Sequence, residues 1–237
     1  MLILPAIDIK DNKCVMLSQG KFNHMKVYYS NPIEVALKWQ EEGANYLHLV
    51  DLNGSIGDNL INKKSIERII KEVNIPVQVG GGIRDEKKVE EILKLGASRV
   101  IIGTVAVENM ELLQKLIGIY GNEKIVVSID AKDGRVATRG WKTINEINSM
   151  DLCKILEEIG VSTVIYTDIS KDGMLTGPNF NIYRKLKENT NLNIIASGGI
   201  SSLEDVKLLK KLDLYGAIIG RAFYENILSY KEVIECL

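Results

Sequence analysis

Cysteine is scarce. Only Cys14, Cys153 and Cys236 occur among 237 residues, far apart and without a CxxC pair, which argues against a disulfide framework or a zinc site and leaves three ordinary reduced thiols. Long apolar runs are missing as well, and none approaches the roughly 20 residues that a membrane helix needs. The opening MLILPAIDIKD lacks the cationic region, apolar stretch and small-residue cleavage site of a secretory signal. The expectation is a cytoplasmic protein with no membrane partner. A basic excess is also absent, the net charge being −1, so nothing argues for nucleic acid. No Pro-rich, Ser-rich or low-complexity stretch marks a linker, and one domain spanning 1–237 is expected.

What is present is the composition of a globular protein, 46% hydrophobic and 26% charged, long enough to bury a full core. Eight short β-branched runs recur along it: LILPAID (2–8), YLHLVD (46–51), PVQVG (76–80), RVIIG (99–103), KIVVSID (124–130), TVIYTD (163–168), NIIAS (193–197) and GAIIG (216–220). Most are continuously apolar, the pattern of parallel strands buried on both faces. Between them lie amphipathic segments such as 31–43, 85–96 and 202–212, with a Pro or capping residue in front and Gly behind. Eight β-α units predict a TIM (β/α)8 barrel, with a doubly wound open sheet as the alternative.

The chain also repeats itself. A shift of 117 residues lays Gly81, Gly82 and Ile83 on Gly198, Gly199 and Ile200; Ile101, Ile102 and Gly103 on Ile218, Ile219 and Gly220; Glu108 and Asn109 on Glu225 and Asn226; and Asp51 on Asp168. A shift of 122 lays ILPAIDIKD on IVVSIDAKD and brings Asp8 onto Asp130. The barrel is therefore expected to be built of two similar half-barrels, about 1–120 and 121–237. Strands one and five face each other across a ring of eight, so Asp8 and Asp130 are expected to oppose one another at the mouth.

Each half has a Gly-rich turn after its third strand (Gly80, Gly81, Gly82; Ser197, Gly198, Gly199) and a Gly-led turn after its fourth (Gly103, Thr104; Gly220, Arg221). Such turns let backbone amides approach an anion, and the turns after strands seven and eight are a frequent phosphate site in barrels. Two phosphate sites on opposite sides of the mouth are expected, hence a bisphosphorylated small-molecule substrate. The plain alternative for each glycine is a tight turn or strand end. Two opposed carboxylates suit proton transfer without metal, one protonated and one ionised, the donor's pKa being raised by burial or by nearby negative charge. Their plain alternative is loop capping or pairing with Lys10 and Lys132.

The runs LPAIDIKDNKCV, GANYLHLVDLNGS, PVQVGGGIR, RVIIGT, IDAKDGRVATRGW, IYTDISKDGMLTGPNF and ASGGISSLEDV closely resemble the phosphoribosylformimino aminoimidazole carboxamide ribotide isomerases of histidine biosynthesis. The resemblance spans essentially the whole chain, and VATRGW and TDISKDGMLTGPN carry it more specifically than the glycines. It implies a TIM barrel of two halves that converts an aminoaldose bearing a phosphate at each end to its aminoketose by an Amadori rearrangement, without metal or organic cofactor. It further implies that Asp130 is the acid that opens the furanose and Asp8 the base that takes the C2' proton. His48, Thr167 and Asp168 are implied to contact the substrate or steady the carboxylates, although His48 read alone suits a core position.

Arg139 and Trp141 fall in a long loop after strand five that suits a lid, with Trp stacking on a heteroaromatic ring and Arg meeting a carboxamide or phosphate; a surface Arg and a packing Trp are the alternative. Gly173 and Gly177, in DGMLTGP, belong to the loop after strand six, where either turn formation or phosphate approach is served. The chain departs from the family at KCVMLSQG, where Met16 stands in place of the usual Arg, so either another residue, Lys21 or Arg84, anchors that part of the ligand or affinity is lower. Three rivals share much of this pattern: the paralogous cyclase that works with a glutaminase, which DGMLTGPNF and VATRGW disfavour; a dual isomerase that also accepts phosphoribosylanthranilate; and a non-catalytic sugar-phosphate sensor, which would not need both aspartates. No heptad or large apolar stripe forces an assembly, and a monomer is expected.

Overall fold

The computed structural model describes residues 1–57 and 61–237. Twelve strands occur among them: β1 (Leu2–Lys10), β2 (Lys13–Ser18), β3 (Lys21–Tyr29), β4 (Leu47–Asp51), β5 (Val77–Gly80), β6 (Arg99–Ile102), β7 (Ile125–Lys132), β8 (Arg135–Thr138), β9 (Thr143–Asn148), β10 (Thr163–Asp168), β11 (Asn193–Ser197) and β12 (Gly216–Ile219). Eight pair in parallel in the order β1-β4-β5-β6-β7-β10-β11-β12, and β12 returns to β1 with Leu2 opposite Gly216. This closed ring, with helices outside it, is a TIM barrel.

Alternation along each strand sorts its residues. Ile3, Ile7 and Ile9 of β1 join the layer between sheet and helices, while Leu4 and Ala6 turn into the barrel, where they meet Val126, Ile165, Ile195 and Ile218. Each such fully buried aliphatic side chain contributes roughly 1.5–3 kcal/mol. The parity that sends Leu4 and Ala6 inward carries Asp8 to the mouth. In β7 the same parity runs Val126, Ser128, Asp130.

The repeat extends to caps and contacts. Asp85 caps the helix Glu86–Lys94, and Ser202, 117 residues on, caps Leu203–Lys211 with a full capping box. The first helix buries Val89 and Ile92, the second Val206 and Leu209, the same repeat positions. One feature was not expected from the sequence: β2–β3 and β8–β9 are antiparallel hairpins that extend β1 and β7 beyond the ring. The segment expected as a long lid loop is thus largely a two-stranded ribbon. Strand β9 is nearly all exposed, so no buried face stamps a period on its sequence.

Candidate active site

Over the C-terminal ends of the barrel strands lies a cavity of about 890 Å³, within the range of ligand pockets. Asp8 and Asp130 line it from opposite strands, since β4, β5 and β6 separate them on one side and β10, β11 and β12 on the other. Burial, and secondarily the negative charge of Asp172, push Asp8 up to about 7. Burial also raises Asp130, against hydrogen bonds from Trp141, Thr167 and Ser128 that favour its ionised form; Trp141 Nε1 donates to Oδ2 at 2.7 Å and Ser128 Oγ to Oδ1 at 3.2 Å.

Asp172 is the site residue that sequence reasoning missed. It lines the cavity and is pushed up to about 7 by burial and then by the charge of Asp130. Three carboxylates therefore converge on the mouth, where burial first, and the charge of a neighbouring carboxylate second, raise Asp8 and Asp172 to about 7. The loop that carries Asp172 is organised by Asp168. Asp168 Oδ1 accepts from the Ser170 amide (2.9 Å) and hydroxyl (2.6 Å), Oδ2 from Asn179 Nδ2 (2.7 Å), and its carbonyl from the amides of Lys171 and Asp172. Asp168 is not a cavity-lining residue. Its repeat mate Asp51 accepts from Asn62 Nδ2 at 2.7 Å, and Asn62 is the repeat mate of Asn179, so the same Asp–Asn hydrogen bond recurs in each half.

His48 and Thr167 are buried and line the cavity. The Gln78 side-chain amide and His48 Nδ1 share a hydrogen bond of 2.9 Å, and burial lowers the imidazole to about 4. His48 is thus neutral at physiological pH.

Both expected phosphate regions border the cavity: Gly81, Gly82, Gly103 and Thr104 on one side, Ser197, Gly198, Gly199, Gly220 and Arg221 on the other, with Gly173 nearby. Gly177 does not line it, but donates its amide to Gly199 O at 3.0 Å and so steadies that turn. The first turn leads into the short helix Val105–Glu108 and the second into Arg221–Tyr224, and the first amides of a helix have no partner within it.

Met16 lines the cavity and packs in the barrel interior beneath Gly220. Of the two suggested substitutes, Arg84 lines the cavity, while Lys21 is exposed and does not. Among the described residues no cluster of three His, Cys, Asp or Glu side chains is arranged to hold a metal ion, and no helix is long and apolar enough to cross a membrane.

Three loops meet over the mouth. The turn of β2–β3 lies on the Asp172 loop through Gln19 N to Asp172 O at 3.0 Å, and Arg221 Nη1 reaches Gly173 O at 2.5 Å. A Cβ on Gly173 would stand 2.5 Å from Leu17 O, so only glycine allows that approach. From the opposite side the β8–β9 turn brings Arg139, Gly140 and Trp141, all with positive φ, and the Trp141 ring lies against Gly20.

The model of the family described as histidine biosynthesis protein matches residues 2–229. This chain belongs to that family. It is 57% identical over 232 residues, 98% of this chain and 96% of the relative, to a protein of Clostridioides difficile named 1-(5-phosphoribosyl)-5-((5-phosphoribosylamino)methylideneamino)imidazole-4-carboxamide isomerase. Family members bearing the same name in Clostridium kluyveri and Lachnoclostridium phytofermentans are 50% and 47% identical, over 99% and 95% of this chain and 98% and 95% of the relatives.

Proposed function

We infer that this protein is the aldose–ketose isomerase of histidine biosynthesis that its relatives are named for, converting the bis-phosphoribosyl aminoaldose to the aminoketose. The observation that carries the reading is three carboxylates in one mouth, flanked by two repeat-related phosphate turns. A phosphate on each turn stretches the substrate across the barrel and lays the reacting ribose between Asp8 and the Asp130–Asp172 side.

Burial raises both Asp130 and Asp172, the charge of Asp130 adding to the rise at Asp172, so the pair keeps a proton near neutrality. That proton goes to the furanose ring oxygen, the C1'–O bond breaks, and the amine lone pair forms the Schiff base. Asp8, more basic than an ordinary carboxylate, takes the C2' proton to give the enolamine. Return of a proton to C1' with loss of the enol proton yields the ketone. Neutral His48 and Thr167 donate or accept hydrogen bonds along the path, Trp141 offers a stacking face for the imidazole, and Arg139 a charge for the carboxamide or a phosphate. Side chains and backbone amides carry every step, so the reading needs no cofactor, and we place the enzyme in the cytoplasm as a monomer.

The test is turnover of the aminoaldose by purified protein in the presence of chelator, with phosphoribosylanthranilate assayed in parallel. The expected result is conversion of the first, and loss of about 100- to 10,000-fold in Asp8→Asn with ligand binding retained. Tight binding without turnover in the unsubstituted protein would favour a sensor instead, and conversion of both compounds a dual isomerase.

A further inference from the structure

Among the positions matched by the 117-residue shift, Glu108 and Glu225 have no part in the chemistry above. Glu108 ends the short helix Val105–Glu108 and Glu225 follows Arg221–Tyr224, so each sits one turn beyond a phosphate turn. Each also grips a hairpin rising from the other half of the barrel. Glu108 Oε1 accepts from Arg139 Nε at 2.8 Å, while the Arg139 amide donates to Thr104 Oγ1 at 2.9 Å. Glu225 Oε1 accepts from Lys26 Nζ at 2.9 Å and from the Tyr28 hydroxyl, with Arg221 Nε 3.7 Å away. The Tyr28 ring packs on Tyr224 at 5.1 Å between centroids.

We propose that Glu108 and Glu225 are a matched pair of positioning residues that latch β8–β9 and β2–β3 over the two phosphate turns. A hairpin already held over its turn has less ordering left to undergo when the phosphate arrives, and that saving appears as affinity. The two latches share no residue, so each serves one end of the ligand. Their bearing on catalysis rests on the isomerase reading; the latches themselves do not.

The experiment is amide hydrogen exchange on the ligand-free full chain for Glu225→Gln, Lys26→Met and Glu108→Gln, followed by steady-state kinetics. Lys26→Met removes the ion pair of the Glu225 latch without touching Arg221, leaving the bond from the Tyr28 hydroxyl. In the first two variants the Lys21–Tyr29 amides should exchange faster by up to about fivefold, the equilibrium worth of a partly exposed ion pair. The Thr143–Asn148 amides should stay as they were, and Glu108→Gln should show the reverse pattern. With the aminoaldose, KM should rise by a similar factor while kcat stays within about twofold. Unchanged hairpin exchange, faster exchange throughout the barrel strands, or a fall in kcat at constant KM would each overturn the proposal. Absence of turnover in the unsubstituted protein would sink the isomerase reading alone, since exchange in the ligand-free chain does not depend on it.

Discussion

Replacing Asp172 by Asn removes a negative charge from the mouth while preserving shape, and its effect on the pH profile can be worked out in advance. Asp8 stands at about 7 instead of 3.8, with burial the larger cause and Asp172 the smaller. The Asp172 share is then at most half of that rise, so in Asp172→Asn the Asp8 midpoint should settle between about 5.4 and about 7. With Asp8 as the proposed base, which acts ionised, the acidic limb of kcat/KM should fall near pH 7 in the native chain and should move to lower pH in the variant. The alkaline limb reports loss of the proton shared by Asp130 and Asp172. The variant loses one of the two carboxyls that hold it and leaves the burial-raised Asp130 as the only acid, so the maximum should fall by up to about 100-fold. The assay is aminoaldose conversion between pH 5 and 9 at constant ionic strength. An acidic limb that stays in place, or moves up, would refute the coupling between Asp172 and Asp8.

Further outcomes follow from the same structure. Because the folded pKa of Asp8 is raised above its unfolded value, its stabilising effect is full below about 3.8 and is lost as the pH climbs through about 7; Asp8→Asn should therefore stabilise the fold at pH 8 by about 2 kcal/mol, its partial exposure allowed for, and very little at pH 4, by urea unfolding. Gly20 has a φ of 65°, and a Cβ there would overlap the Trp141 ring, so Gly20→Ala should change Trp141 fluorescence, lower kcat/KM about tenfold and cost about 1–2 kcal/mol of stability through the left-handed backbone. Asn62 is fully buried and its amide bonds Ile9 O, Asp51 and Asn53 while its oxygen accepts from the Asn12 amide; Asn62→Ala should cost about 2–4 kcal/mol in urea unfolding, and a loss below about 1 kcal/mol would mean that water replaces the amide.

The barrel was legible because strands buried on both faces must be apolar almost throughout, and because caps and inner helix faces recur 117 residues apart, as at Asp85 and Ser202 or Val89 and Val206. The opposition of Asp8 and Asp130 followed from their places on strands one and five of a ring of eight, and strand parity turned both toward the mouth. Asp172 was hidden for a definite reason: its repeat mate is Ser55, so the internal symmetry that marked the other aspartate pair was silent there. Asp168 was legible as important but not as to its partners, since the recurring Asp-to-Asn spacing of 11 residues in both halves becomes meaningful only when Asn62 and Asn179 are seen to reach back. The hairpins escaped notice because their outer strands, Thr143–Asn148 above all, bury too little to carry a period.

The crossing of the two hairpins bears on how such a chain arises by duplication of a shorter gene. The ribbon from the first strand closes over a turn in the second half, and the ribbon from the fifth strand closes over a turn in the first. A solitary four-unit ancestor would have had its phosphate turn and its cover pointing to opposite edges, unable to meet. Two copies side by side would exchange covers and complete both sites at once, an exchange that a single chain holding both halves makes permanent.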